Sequence, residues 1–241
     1  MTTSRPSPTV KGARARAHAE VRAAILATAS AHVAANGAAA LSLRAVARDL
    51  DMVSSALYRY FASRDELLTA LIIDAYDSLG DHTDAAVDAT IHDAPAARWV
   101  DAAMTIRSWA IGRPHEYALL YGTPVPGYAA PDDTVASGTR VSRALVRIVR
   151  DAAADGRLHD PAATTIVSAP TAESFVSLRT EIDLPTVSDA TVLALLLAWT
   201  QLFGLLTFEL FGQTRNFVHD DELLFRDAAA TMARNLGLAD R

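Results

Sequence analysis

The chain has 241 residues, of which 51% are hydrophobic, with 11 glycines and 10 prolines. That composition supports a sizeable core and excludes a disordered or fibrous chain. Cysteine is absent, which excludes disulfides, thiolate metal sites and cysteine nucleophiles.

The net charge of −6 argues on its face against nucleic acid, but it averages two opposite regions. Residues 1–64 hold nine Lys/Arg against three acids, Glu20, Asp49 and Asp51, for +6; residues 65–241 hold 13 Lys/Arg against 25 Asp/Glu, for −12. A basic head on an acidic body is the outline of a small nucleic-acid-binding head on a larger soluble domain. Alanine- and leucine-rich periodic stretches dominate and no period-two run of β-branched residues stands out, so the expected fold is all-α. The N-terminal stretch "MTTSRPSPTVKGARARAHAE" has no apolar run ahead of its charges, and no signal peptide is expected.

In chain order, residues 1–13, with Pro6, Pro8 and Gly12, read as a flexible basic tail. A helix is expected from Arg14 to Asn36, with Val21, Ile25, Ala29 and Val33 on its apolar stripe and Asn36-Gly37 as its stop. Ser42 caps a short second helix whose Leu43, Val46, Ala47 and Leu50 face inward. After a break at Asp51-Met52, a third helix over 53–61 buries Leu57 and Phe61. Ser63 then caps a fourth helix, with Glu66 completing a capping box, which ends near Gly80. Further helices are expected at 94–112, 114–121, 134–155, 161–182, 188–212 and 220–236, with prolines near their starts and glycines near their ends. Pro170 is expected to break or kink the 161–182 segment. "GTPVPGYAAPDD" (122–133) reads as a loop, either a lid or a simple connection.

Two short helices joined by a tight turn form a helix-turn-helix. Its second member is small because it must enter a DNA major groove and present its first residues to base edges. The segment from Arg14 to Ala75 resembles the DNA-binding domain of the tetracycline-repressor (TetR) family. The residues that carry the resemblance are Ile25, Ala29, Asn36-Gly37, Ser42, Val46-Ala47, "LYRYF" at 57–61 and "SRDELL" at 63–68. It implies that Ser42 and Arg44 meet phosphate and a base edge, that Ser54, Ser55 and Ala56 face the bases, and that Tyr58, Tyr60 and Arg64 hold the DNA backbone. The chemistry agrees: Arg44 suits bidentate reading of a guanine, Tyr58 carries a hydroxyl on a rigid ring, and Arg64 lies at a helix start, where phosphate is favoured. Arg5, Lys11, Arg14 and Arg16 are placed to lie along phosphates or enter a minor groove. The sequence departs from the family at two points. Asp51 stands where the family commonly has Gly, and Val53 stands where a Ser commonly caps the recognition helix, leaving Ser54 as the alternative cap.

The resemblance further implies an architecture of an N-terminal three-helix helix-turn-helix domain (14–62) and a larger C-terminal helical domain (63–241, with 63–80 as the connecting helix) that dimerises and holds a small-molecule effector. "VLALLLAWTQLFGLLTFELF" (192–211) is long enough to span a bilayer, but Gln201 and Glu209 interrupt it. The preferred reading is a dimer interface built from 188–212 and 220–236 in a cytoplasmic protein, without a membrane. Trp109, Tyr117, Tyr121 and Phe175, grouped around the Pro-rich loop in sequence, are the candidate effector-binding residues. Asp77, Asp81, Asp84, Asp88 and His92 would align for a metal only if the fourth helix ran that far, and a solvated acidic face is the preferred reading. No G-x-S-x-G elbow, Walker loop or H-E-x-x-H is present, so no catalytic residue, metal or cofactor is expected. The predicted function is a DNA-binding regulator, a repressor released from a palindromic operator by an apolar or amphipathic effector. The alternatives are a ligand-independent or activating regulator, a membrane-anchored protein, and an enzyme with an appended helix-turn-helix.

Overall fold

The computed structural model describes residues 10–161 and 166–239. The described residues form eleven α-helices and no strand beyond an isolated bridge between Leu158 and Leu238. They divide into two compact units. The head comprises the residues up to Asp74 together with Thr123–Asp132, and the body comprises Ala75–Gly122 and the residues from Asp133 onward.

The head contains α1 (Val10–Asn36), a single 3-10 turn (Ala38–Ala40), α2 (Leu43–Asp49), α3 (Ser54–Leu57) and the first turns of α4 (Arg64–Ala89). Gly37 ends α1 at φ 78°, its N–H on the Val33 carbonyl at 2.8 Å. Ile25, Ala29 and Val33 of α1 are buried with Leu43, Val46 and Ala47 of α2, Leu57 of α3, Phe61, and Leu67, Leu68 and Leu71 of α4. Each leucine or phenylalanine withdrawn from water contributes about 1.5–3 kcal/mol, which is what holds helices this short in place. The α4 start is capped as expected on one side: the Glu66 N–H donates to Ser63 Oγ at 3.1 Å. The Glu66 carboxylate reaches back one residue beyond the cap, accepting from the Ala62 N–H at 2.6 Å. The Pro/Gly loop belongs to the head, where the Tyr128 and Thr69 hydroxyls lie 2.9 Å apart.

The body is built on α5 (Pro95–Gly112), α8 (Arg140–Ala154), α10 (Asp189–Leu210) and α11 (Asp221–Asn235), with α6 (Pro114–Tyr121), α7 (Asp133–Gly138) and α9 (Ala169–Glu181) beside them. Trp99, Ile106, Ile148, Leu202, Leu206 and Met232 lie in one continuous core. Several of its charges are partly or wholly withdrawn from water and paired. Arg107 makes a two-pronged contact with Glu209 at 2.7 and 3.0 Å, and Arg98 binds Asp151 at 2.9 Å.

Expected and observed helices agree within two residues for α5, α6, α10 and α11. Others differ. The first helix begins at Val10, four residues before Arg14, because no proline follows Pro8 to stop it; residues 1–9, Arg5 among them, lie outside the described residues. The third is helical only over Ser54–Leu57 and continues as turns to Tyr60. The fourth runs past Gly80 to Ala89. Gly80 is not a stop: a Cβ there would sit 2.9 Å from Arg140 Nε, so the glycine makes room for that arginine. The 134–155 segment divides at Thr139, whose hydroxyl donates back to the Val135 carbonyl at 3.0 Å. The 161–182 segment is helical from Ala169, and Pro170 occupies the first turn, where a missing N–H costs nothing; residues 162–165 lie outside the described residues.

Candidate nucleic-acid interface

The turn between α2 and α3 is closed by two backbone bonds. Met52 N–H reaches the Ala47 carbonyl at 2.8 Å and Asp51 N–H the Arg48 carbonyl at 3.1 Å. This is a helix stop that demands left-handed backbone at its centre, and Asp51 adopts φ 52° to supply it. His32 of α1 fixes the other side of α2, its Nε2 2.7 Å from Asp49 Oδ2. That hydrogen bond holds the Asp49 carboxyl below the usual carboxylate range.

On this scaffold the outward residues of α2 and α3 stand clear. Ser42 takes the extended N-cap conformation of α2 but makes no side-chain capping bond, and Arg44 beyond it is exposed. Val53 is the N-cap of α3, Ser54 and Ser55 are exposed, and Ala56 is half-buried, while Leu57 alone points into the core. Ser54 is therefore the first helical residue and its hydroxyl is not engaged in capping α3. Tyr58 is 47% exposed. Tyr60 stacks on His18 of α1, ring centroids 4.6 Å apart. Arg64 directs its guanidinium to the carbonyls of Ala38 (3.0 Å) and Ala39 (3.3 Å) and to Asp65 (3.2 Å), bridging the start of α4 to the 3-10 turn. Two residues here went unread in the sequence. Val53, 70% exposed, registers there only as a missing cap, although an exposed apolar residue at this point is suited to a thymine methyl. His18 gives no local signal of its stacking on Tyr60. Arg14 and Arg16 lie exposed on α1.

Residues 25–71 match the family model described as bacterial regulatory proteins, tetR family, and residues 99–232 match that of the tetracyclin repressor-like C-terminal domain. The HTH-type transcriptional regulator Rv1816 of Mycobacterium tuberculosis is 42% identical over 205 residues, which cover 84% of this chain and 86% of the relative. The chain belongs to the TetR family. It is a DNA-binding transcriptional regulator, as its curated relatives are. Among solved structures, the TetR-family chain is similar to regulatory protein SCO4313, with a TM-score of 0.71 and 34% identity over 90% of this chain and 97% of that one. RolR, crystallised with the ligand resorcinol, shares the fold, with a TM-score of 0.52 and 17% identity over 94% and 96% of the two chains.

In the body of this TetR-family chain, the Tyr117 and Tyr121 rings meet at a tilt with centroids 5.2 Å apart, and Tyr121 also meets Phe203 at 4.3 Å and Tyr76 edge-on at 6.2 Å. The Tyr117 hydroxyl donates to the Phe203 carbonyl at 3.0 Å and lies 2.9 Å from Thr207 Oγ1. Trp109 donates its indole N–H to Ser78 Oγ at 3.0 Å. Phe175 is buried on α9, outside the main core cluster. The Tyr121 hydroxyl is buried and has no hydrogen-bond partner among the described residues. Burial pushes the phenols of Tyr76, Tyr117 and Tyr121 above their ordinary range, so all three stay neutral. Tyr76 and its place beside Tyr121 were not foreseen. The α4 aspartates do fall on one face, but arginines meet them: Asp77, Asp81 and Asp84 bind Arg140, and Asp88 binds Arg147. Among the described residues no cluster of His, Asp and Glu is arranged to hold a metal. α10 is long and apolar enough to cross a bilayer by length and composition alone, and Ala198, Leu202 and Leu206 pack it into the body core.

Proposed function

We propose that the protein is a cytoplasmic, homodimeric repressor whose two heads bind a near-palindromic operator and release it when a small apolar or amphipathic molecule binds the body. The observation that carries this reading is the division of labour in α2 and α3, where one face is core and the other presents Arg44, Val53, Ser54, Ser55 and Tyr58 outward. In this reading Arg44 reads a guanine edge and Val53 meets a thymine methyl. Ser42, Ser54, Ser55 and Ala56 make close contacts, and Tyr58, Tyr60 and Arg64 hold the phosphates with Arg14 and Arg16. Arg64 keeps a guanidinium edge for phosphate while it binds the turn carbonyls, since it carries five donors.

One head makes too few contacts to bind tightly, and two heads reach half-sites about 34 Å apart. Dimerisation through α10 and α11 is supported by their exposed Leu197, Phe208 and Leu224 and by a groove of about 580 Å³ between them, lined by Gln201, Gly204, Phe208, Ala228 and Met232. The effector sits against Trp109, Tyr117, Tyr121 and Phe175, where the unpaired Tyr121 hydroxyl offers it a hydrogen bond. To act, it must favour the DNA-incompetent state by about 1–3 kcal/mol.

Selection of bound duplexes from a random library tests this directly. The expected outcome is an inverted repeat recovered by a dimer and released by some member of a panel of small aromatic and apolar metabolites. A chain that stays monomeric and enriches no duplex at low salt would overturn the proposal.

A further inference from the structure

We propose that the body carries a second ligand site, separate from the aromatic one, for a small amphipathic monocarboxylate, in the cavity bounded by α8, α4 and the turn that ends α9. Two complementary stripes frame it. α4 carries Asp77, Asp81, Asp84 and Asp88, and α8 carries Arg140, Arg143, Arg147 and Arg150, each set spaced to fall on one helical face. Three of the four arginines are engaged. Arg140 binds Asp77, Asp81 and Asp84, Arg147 binds Asp88 at 2.8 Å, and Arg150 binds Asp183 at 3.2 Å. Arg143, in the middle of the stripe, is exposed and makes no ion pair among the described residues.

Arg143 lines a cavity of about 450 Å³ together with Arg147, Arg150, Ser142, Thr139 and Ile182. A second guanidinium lies in the same lining: Arg150 is exposed and spends only Nη1 on Asp183, which leaves it donors for a ligand. The hydroxyls are not competitors, because Thr139 donates to the Val135 carbonyl and Ser142 to the Thr139 carbonyl. Two guanidinium groups with free N–H donors on one wall match a carboxylate, the planar acceptor that arginine binds in pairs of parallel bonds. The neighbouring Ala144, Val146 and Ile182 supply an apolar wall for a short hydrocarbon body. Asp84, Glu181 and Asp183 also line the cavity. Asp84 and Asp183 already bind arginines, and Glu181, which makes no ion pair among the described residues, repels added negative charge, so a polyanion is disfavoured.

Isothermal titration calorimetry of the full-length protein with hexanoate, 1-hexanol and hexylamine tests the assignment. Hexanoate is expected to bind, and the alcohol and the amine, which share its body but not its charge, are expected to give no saturable heat. Arg143→Gln removes an exposed, unpaired side chain, so its melting curve should overlay that of the native protein while hexanoate affinity falls at least tenfold. Arg226→Gln, on α11 away from the cavity lining, should leave the affinity unchanged. Absence of saturable hexanoate binding, equal binding of the alcohol, or undiminished affinity in Arg143→Gln overturns the proposal. Each outcome is read without DNA and so is independent of the operator, and only binding that Arg143→Gln removes is assigned to this cavity and not to the aromatic effector site.

Discussion

The two units use arginine in opposite ways. In the body, Arg98, Arg107, Arg140, Arg147, Arg150, Arg179 and Arg226 each meet a carboxylate, and Arg98 and Arg107 do so where water is largely excluded. In the head, Arg14, Arg44 and Arg59 make no ion pair among the described residues and Arg22 lies over the Phe61 ring at 5.2 Å, while Arg48 and Arg64 meet only the adjacent Asp49 and Asp65, Arg64 also turning to backbone carbonyls. In the body these paired arginines fix how helices meet, and Arg143 stands apart from them without an ion pair among the described residues. In the head positive charge is left facing solvent, where a polyanion can neutralise it by displacing counterions. The difference explains why a chain of net charge −6 binds DNA.

That contrast can be broken most sharply in the body. Arg107→Ala strands the largely buried Glu209 carboxylate and should lower unfolding free energy by up to about 3 kcal/mol, read from urea melts; a loss under 1 kcal/mol would show the pair to be hydrated. In the head, Arg44→Ala should leave the melt unchanged and weaken operator binding by about 1–3 kcal/mol, with discrimination relaxed at one base position in competition titrations. Arg64→Ala tests the residue with a foot in both roles. It should reduce stability by about 1 kcal/mol through the freed Ala38 and Ala39 carbonyls, weaken all duplexes alike, and flatten the salt dependence.

Asp51→Gly removes a side chain from left-handed backbone and should raise head stability by up to about 1 kcal/mol, visible as a shift of the melting midpoint. The smallest effect is acid sensitivity. The Asp49 carboxyl is depressed below its ordinary 3.8 by His32, so its contribution is present above that value and is lost as pH falls through the folded one. His32→Ala should lower the melting midpoint slightly at neutral pH and leave the acid end, where the contribution is already lost, nearly unaffected, so the profile flattens.

The sequence was most legible where a local rule decides. Pro114 and Gly122 bound α6 as expected, Asn36-Gly37 stops α1, and Ser63 with Glu66 caps α4. It was least legible where a distant partner decides. Gly80 looks like a stop by itself but lies inside α4, leaving room for Arg140, 60 positions along. Arg107 and Glu209 are 102 residues apart, and no periodicity says which faces of α5 and α10 meet. The same limit applies to the sites. The outward placement of Arg44, Ser54, Ser55 and Tyr58 was readable because they lie within one motif, but Tyr76 beside Tyr121, and the unengaged Arg143 among its engaged neighbours, emerge only once helices are set against each other. The aspartates of α4 suggested a solvated face and proved to be one half of an interhelical ladder.

Only Leu57 of the four residues of α3 is buried. Val53, Ser54, Ser55 and Tyr58, standing outward around it, can be exchanged without opening a cavity or stranding a polar atom. On the proposed assignment of these residues to the operator, address and chassis are therefore separate variables in this head. Duplicated copies of such a gene can acquire new genomic targets by altering a handful of letters, with no need to solve the folding problem again.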